Sequence, residues 1–394
     1  MKALLFGAGK ISRGFLAQLL KLNDVEIVFI EKVQGLVDLL NERKEYEVHI
    51  LGNESKNTKI TDFRAIPFDD IDAIAREMKD ADIAFTSVVG KNLIDLGNVI
   101  GRAFLKSGMN RQGNNILNLI TCENWKHPIQ DLKEGILRTI PEEKKEYLWQ
   151  NLSVTEAVIM RIAVEPSKEN KEKYPLDVWV QDFWELPVNK EFYKGEFPKF
   201  QYIYAKDGFG TLLEQKMFTN NTSNAGIAYL GYLLGYDKVA DAANAAEISK
   251  FLDQLYPEIN HILEEGLGVS KEEQESFAKK AREKYSNPLI VDEISRQAKD
   301  PIRKLGPEDR LVAPANMAFA HGIVPKCIAK IIAAAVYYDH KEDESAQKLQ
   351  EKRKTEGFEK VLTDICKIKT GSPLFELVME ERKDLLKKGW IKDE

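Results

Sequence analysis

The sequence predicts an α/β N-terminal domain with a mostly parallel sheet, followed by a mainly α-helical C-terminal domain. Three observations carry this expectation. Short apolar runs of strand length alternate with stretches of helical periodicity over the first half of the chain. A glycine-rich turn joins the first strand-like run directly to the first helical one. From about Gly208 the texture changes to long helical periodicities with few strand signals. Alternating strands and helices imply a parallel sheet with helices on both faces. A chain of 394 residues exceeds what a single core supports, so two domains are expected, 1–207 and 208–394.

The first element is Ala3-Leu4-Leu5-Phe6, and Gly7-Ala8-Gly9-Lys10-Ile11-Ser12-Arg13-Gly14 follows without a gap. Ile11, Phe15, Leu16, Leu19 and Leu20 then recur at helical spacing, and Glu26-Ile27-Val28-Phe29-Ile30 reads as a second buried strand closed by Glu31. Strand, glycine turn, helix, strand and acid are the parts of a Rossmann-type dinucleotide site. Gly7 makes the tight turn, and Gly9 lets the backbone N–H groups of Lys10, Ile11 and Ser12 approach a pyrophosphate at the helix N-terminus. Glu31, about 20 residues on, accepts hydrogen bonds from a ribose diol. Ser12 stands at the third glycine position, with Gly14 following. Lys32 could meet a 2′-phosphate, but the Glu31 carboxylate repels one, so the expected cofactor is NAD. The plainer reading is an ordinary βαβ unit with a tight turn.

Further along, Val33–Arg43 reads as a helix, Tyr46–Leu51 as a strand and Phe68–Met78 as a second amphipathic helix. Ala84–Gly90 is strand-like, which places Val88 against a cofactor. Leu93–Leu105 is helical, Ser107–Asn115 a polar loop, and Ile116–Thr121 a strand ending in Cys122-Glu123-Asn124. Ligands sit at the carboxyl ends of such strands, which makes Asn124 a candidate contact. Ser153–Val164 and Leu176–Leu186, rich in β-branched and aromatic residues, are expected to extend the sheet, with charged loops at Lys168–Lys173 and Lys190–Lys199. In the second half Ile328–Val336 is apolar all round and reads as a buried helix. Ser372-Pro373 opens a last helix that Gly389 closes.

Composition narrows the class. The chain is 43% hydrophobic and 30% charged, with a formal net charge of −6, which argues against nucleic acid or an acidic membrane as partner. Met1-Lys2 leads straight into a strand without a signal peptide, and no apolar run is long enough to span a bilayer. Cys122, Cys327 and Cys366 read as buried reduced thiols, so a cytoplasmic protein is expected, as a monomer or small homo-oligomer. Scattered histidines and the absence of paired cysteines argue against a metal site. The Tyr202-x-x-x-Lys206 pair, a spacing used by short-chain dehydrogenases, is common enough by chance to be set aside.

The chemistry is sought in Glu214–Ala225. On a helix turning about 100° per residue, Asn220 lies about 40°, Asn224 about 80° and Asn221 about 140° from Lys216. A lysine kept from water beside other cations loses its proton more readily and can take a hydroxyl proton as hydride leaves the same carbon. The same residues also read as a solvated polar face. The run Arg296–Arg310, dense in cations, could clamp a phosphate or carboxylate and depress the Lys216 pKa, or be a salt-bridged helix end.

Phe6–Phe15, Thr121-Cys122-Glu123-Asn124, Glu214–Thr219 and Arg303-Lys304-Leu305 to Asp309-Arg310-Leu311, in that order over nearly the whole chain, resemble the polyol-specific long-chain dehydrogenases. The resemblance is greatest to their mannitol-1-phosphate 5-dehydrogenase branch. It implies a Rossmann-type domain and a helical domain, metal-free interconversion of polyols and ketoses with NAD or NADP, and an active-site pattern Lys-x₄-Asn-x₂-His. Lys216 matches the general base and Asn221 the first amide, and Asn124 matches an asparagine that positions the substrate oxygen. Arg296 and Lys304 match substrate-binding positions. Two positions depart: the family histidine is Asn224, and the usual Asp-Arg pair reads Met160-Arg161. The implied substrate is a polyol or polyol phosphate such as mannitol 1-phosphate. A hexonate or hexuronate oxidoreductase and a dinucleotide-binding pseudo-enzyme stay open as alternatives.

Overall fold

The computed structural model describes residues 1–111 and 115–392 and divides into two compact units, Met1–Phe209 and Gly210–Glu394. In the first unit β1 (Lys2–Phe6) leads through the glycine turn into a π turn at Ser12–Leu16 and α1 (Ala17–Leu22). β2 (Glu26–Glu31), α2 (Gln34–Arg43), β3 (Tyr46–Ile50), β4 (Thr58–Ile60), β5 (Phe63–Pro67) and α3 (Ile71–Asp80) follow. Next come β6 (Ile83–Thr86), α4 (Leu93–Ser107), β7 (Leu117–Thr121), α5 (Pro128–Leu137), α6 (Lys145–Asn151) and β8 (Leu152–Glu156). Of the polar loop expected over Ser107–Asn115, residues 112–114 lie outside the described ones.

Six strands form one parallel sheet in the order β5-β2-β1-β6-β7-β8, the doubly wound Rossmann-type arrangement. Its strands are apolar on both faces because both are covered. Leu4, Phe6, Val28 and Ile30 share a core with residues of α3, α4 and α5. Leu5, Ile27 and Phe29 share another with α1 and α2. Strand order turns at β1/β6, which opens the carboxyl ends of those strands.

Three expectations about this unit need correction. Only Leu152–Glu156 extends the main sheet; β9 (Ala163–Val164) and β10 (Val178–Val180) join β3 and β4 in a second sheet of order β4-β3-β10-β9. β11 (Leu186–Asn189) pairs with β12 (Ile203–Lys206). Short alternating runs do not name their partners, and the buried Arg161 breaks this one. Its guanidinium lies between the Phe15 and Trp184 rings and donates to the Gln181 and Gly14 carbonyls. The charged stretch expected as a loop forms a short helix, α7 (Lys168–Lys173), because the Ser167 hydroxyl accepts from the Asn170 N–H and caps it. β5 was not anticipated, since Arg64 and Pro67 weaken its strand signal; as an edge strand it tolerates both.

The second unit is helical. α8 (Phe209–Lys216) runs through a π turn at Met217–Asn221 into α9 (Thr222–Leu233). α10 (Val239–Asn244), α11 (Ala246–Leu267), α12 (Lys271–Ser286), α13 (Ile294–Ala298), α14 (Pro301–Lys304) and α15 (Val312–Ala320) come next. α16 (Lys326–Ala335), α17 (Glu344–Glu356), α18 (Phe358–Asp364) and α19 (Pro373–Lys387) complete it. Ile328–Val336 is buried throughout except Lys330, as its apolar sequence predicts. The Ser372 hydroxyl accepts from the Phe375 N–H ahead of Pro373, so the last helix starts where expected. Cys122, Cys327 and Cys366 are buried and unpaired.

Candidate active site

In the first unit the glycine turn lies where β1, β2 and β6 end. The Gly7 N–H donates to the Ile30 carbonyl at 2.7 Å and the Ser87 N–H to the Phe6 carbonyl at 2.8 Å. Gly7 has φ +92°, and a Cβ there would sit 2.5 Å from the Ser87 carbonyl oxygen. Gly9 is exposed, and a Cβ there would meet nothing within 4 Å, which leaves room for an incoming group. The next turn closes with the Ala17 N–H on the Ser12 carbonyl, an i→i+5 bond. Ser12 is wholly buried, so it offers smallness and its backbone. Close helix–sheet packing falls to Gly14, where a Cβ would lie 2.6 Å from Val178 and 2.8 Å from Val180. Ile11 is half-buried on the same turn, and the exposed Lys10 ion-pairs with Glu165.

The Glu31 carboxylate stitches the turn to β2. It accepts the Ala8 N–H at 2.7 Å on one oxygen and the Val33 N–H at 2.9 Å on the other. Each oxygen keeps a lone pair for a diol, while the charge opposes a 2′-phosphate. Glu123 does similar work at the ends of β6 and β7. It accepts from Thr86 Oγ1 at 2.7 Å, the Val88 N–H at 2.9 Å and the Cys122 N–H at 3.0 Å. Burial raises its pKa and these hydrogen bonds oppose the rise. Val88 is thereby fixed ahead of Val89, which has φ +69°, and the exposed Asn124 follows the brace directly. An open Gly9, a free helix start and an acid at the end of β2 fit a dinucleotide.

In the second unit the π turn reshapes the expected polar face. The Thr222 N–H closes on the Met217 carbonyl five residues back. On a regular helix Lys216 and Asn221 point about 140° apart; an i→i+5 turn stacks residues five apart and brings them to one side. Neighbouring groups hold the turn. Tyr285 Oη donates to the Asn220 carbonyl at 3.0 Å, Gln274 Nε2 to Thr219 Oγ1 at 3.1 Å, and Ser223 Oγ to the Thr219 carbonyl at 2.7 Å. Lys216 is half-buried, and burial followed by the charge of Arg310 lowers its pKa to about 8.

Around it lies a network. Arg296 grips Asp292 with two hydrogen bonds, Nε at 2.8 Å and Nη2 at 2.6 Å, while its own side chain stays 65% exposed. Gln297 Nε2 donates to the same carboxylate, and Asn224 Nδ2 donates to Gln297 Oε1 at 2.8 Å. Lys304 stands apart from this exposed edge: it is buried, donates to the Gln297 backbone carbonyl and lies over the Tyr229 ring. Burial, then Arg310 and Arg303, bring its pKa to about 7.

Sequence reasoning passed over Lys284, Tyr285 and Asp292. Lys284 has its pKa lowered to about 8, by burial first and then by Lys216 and Arg296, with Asp292 opposing. Its stretch, Lys271–Ser286, looks like a solvated charged helix; the available signal was the buried stripe Gln274, Ala278, Ala281 and Tyr285 at helical spacing.

Among the described residues one group of potential metal ligands lies close together, Glu47, His49 and Asp177 in the first unit. There His49 Nε2 is 2.9 Å from Asp177 Oδ2, and its ring stacks on Trp179. Among the described residues no helix is long and apolar enough to cross a membrane.

A doubly wound domain with a braced glycine turn, joined to a helical unit holding a basic amine among amides, defines a two-domain dinucleotide-fold protein. The family described as "Mannitol dehydrogenase Rossmann domain" matches residues 1–201, and "Mannitol dehydrogenase C-terminal domain" matches residues 211–372. The chain belongs to the mannitol dehydrogenase family. It is 32% identical over 387 residues to mannitol-1-phosphate 5-dehydrogenase of Thermoanaerobacter pseudethanolicus, covering 98% of both chains. It is 33% identical over 393 residues to the protein of that name from Brevibacillus brevis, covering 99% of each. Two solved structures share the fold. Pseudomonas fluorescens mannitol 2-dehydrogenase, in a ternary complex with NAD and D-mannitol, gives a TM-score of 0.71 at 16% identity, covering 99% of this chain and 92% of that one. Substrate-free D-sorbitol dehydrogenase gives 0.78 at 16% identity, covering 98% and 93%.

Proposed function

We propose that this chain is a cytoplasmic, metal-independent, NAD-dependent oxidoreductase that interconverts a polyol phosphate such as mannitol 1-phosphate and the matching ketose phosphate such as fructose 6-phosphate. The carrying observation is Lys216, an amine brought to about 8 and set on one side with Asn221 by a π turn. The curated relatives, named for mannitol 1-phosphate, support the substrate class.

In this reading residues 1–207 hold the dinucleotide and residues 208–394 the substrate. The Gly7–Ser12 turn receives the pyrophosphate and Glu31 the adenosine ribose, while Val88, fixed by Glu123, lines the cofactor. NAD supplies the hydride acceptor. Neutral Lys216 takes the proton of the substrate hydroxyl on Nζ as the carbon–hydrogen bond breaks; in the reductive direction its ammonium returns the proton to the carbonyl oxygen. Asn221 donates to that oxygen as its charge changes. Asn124 carries over from the family pattern as a further substrate contact. Arg296, held by Asp292 yet exposed, meets the phosphate, and Lys304 braces the Gln297 backbone behind it.

The test is NAD and NADP reduction with a panel of polyols, polyol phosphates and hexonates. Turnover of a polyol phosphate with NAD is expected. A hexonate as the best substrate would shift the assignment to a carboxylate-bearing substrate, and no turnover anywhere would overturn the enzyme reading.

A further inference from the structure

Gly90, just past the carboxyl end of β6, is buried without needing a positive φ, so backbone geometry does not explain the glycine. A neighbour does. A Cβ there would lie 2.1 Å from Cδ2, 2.3 Å from Cγ and 2.4 Å from Cε3 of Trp125. Three bonded ring atoms at nearly one distance, the middle one nearest, mean that the indole covers Gly90 with its face. The residue is also pinned by hydrogen bonds. Its Nε1 donates to Asp131 Oδ2 at 2.7 Å, and its backbone N–H donates to the Glu123 carbonyl at 2.9 Å. Trp125 is nonetheless 47% exposed, and with one face on Gly90 that exposure belongs to the opposite face and rim. Close by in the chain to Gly90, Val89 is 65% exposed at φ +69°, a strained conformation for a β-branched residue and one that gathers at functional sites.

The strand order β2-β1-β6-β7 sets Glu31, Gly7, Val88 and Trp125 in a row across the carboxyl ends of the sheet. A Cβ at Gly7 would lie 3.2 Å from Val88 Cγ1, so the pyrophosphate turn abuts the segment that leads to Gly90. With the adenosine ribose on Glu31, the other half of the dinucleotide runs past Val88 toward Trp125. That path crosses three strand spacings, about 14 Å, which an extended dinucleotide spans. We propose that Trp125 is a further cofactor-binding residue, whose exposed indole face receives the nicotinamide ring. This assignment rests on the dinucleotide reading above. The nicotinamide ring of NAD carries a positive charge and that of NADH does not. An indole face attracts a cation, so Trp125 favours the oxidised cofactor over the reduced one. An aliphatic side chain in its place makes no such distinction.

The experiment measures Kd for NAD and for NADH by calorimetry, without turnover, in the unaltered chain and in Trp125→Leu and Trp125→Phe. Trp125→Leu should raise Kd for NAD about tenfold and Kd for NADH only about two- to threefold. Trp125→Phe keeps an aromatic face and should retain most of the preference. Gly90→Ala, whose Cβ must push the ring aside, should reproduce the Trp125→Leu pattern. A tryptophan that serves packing alone would weaken both cofactors equally on removal, and equal losses would overturn the proposal. A second readout is energy transfer from tryptophan to bound NADH. The chain has five tryptophans, so Trp179→Phe, on β10 in the second sheet, serves as the control. Trp125→Phe should remove more of the sensitised NADH emission than Trp179→Phe does; the reverse order would also overturn the proposal. If neither cofactor binds the unaltered chain, the dinucleotide reading fails. If both bind and Trp125→Leu changes neither Kd, the Trp125 assignment alone fails.

Discussion

Replacing Lys216 by methionine should cripple turnover and stabilise the protein at the same time. The side chain keeps its length and loses its charge. In the folded chain the Lys216 pKa falls from the ordinary 10.5 to about 8, because the ammonium gives up water and faces Arg310. That gap corresponds to at most about 3 kcal/mol of destabilisation at neutral pH. For a unit of this size it converts to a rise in Tm of up to about 6–10 °C. The sign can be checked against pH. Below about 8 the lysine is protonated both folded and unfolded, so the full penalty is present. Between about 8 and 10.5 the unfolded chain binds more protons, the native protein gains stability, and the advantage of Lys216→Met fades. Removing Lys216 also relieves Lys284, whose pKa it depresses.

The assay is thermal denaturation of both proteins from pH 7 to 10.5, beside steady-state turnover and NADH binding. Turnover should fall roughly 10²- to 10⁴-fold with NADH binding unchanged. In the native enzyme polyol oxidation should rise with pH through about 8 and level off, and ketose reduction should decline over the same range. With Lys284 also near 8, the midpoint belongs to the coupled pair. A Lys216→Met variant within tenfold of native turnover would refute the base assignment. A stability gain that persists undiminished to pH 10.5 would refute its electrostatic origin.

Three further outcomes are expected. Glu31→Ala should narrow the preference for NAD over NADP in kcat/KM and raise KM for both, since the Ala8 and Val33 N–H groups lose their acceptor. Arg296→Ala should raise KM for phosphorylated polyols at least about tenfold and leave unphosphorylated ones little changed, whereas Lys304→Met should affect both alike; ITC or initial-rate measurements distinguish these. Gly14→Val should lower Tm sharply or prevent folding, because a Cβ alone would already press within 2.6 Å of Val178; circular dichroism melts report it.

Much of the first unit is legible in one dimension because its signals are local. An apolar run, a glycine turn and an acid at the next strand end each act within about 30 residues, and a parallel sheet follows from the alternation. The six-stranded sheet and the position of Gly7 need little more. Strand partnership is a different matter: Ser153–Val164 and Leu176–Leu186 look like extensions of the main sheet, and only Leu152–Glu156 is one.

The lysine, the two amides and the cationic run were likewise visible as residue types at suggestive spacings. What the amino-acid order alone determined is the inventory: a dinucleotide turn, one candidate base and a set of polar neighbours in a recognisable order. Only the tertiary structure decided their roles. The π turn that stacks Asn221 beside Lys216 depends on groups from α12, some 60 residues away, to hold its carbonyls and hydroxyls. The direction of the Asn224 amide depends on a carboxylate 68 residues further on, reached through Gln297. The partition between Arg296, presented, and Lys304, buried, depends on which of two similar cations meets the core. Hydrogen-bond direction and burial are set by neighbours brought together in space, and no local pattern of residue types carries that information.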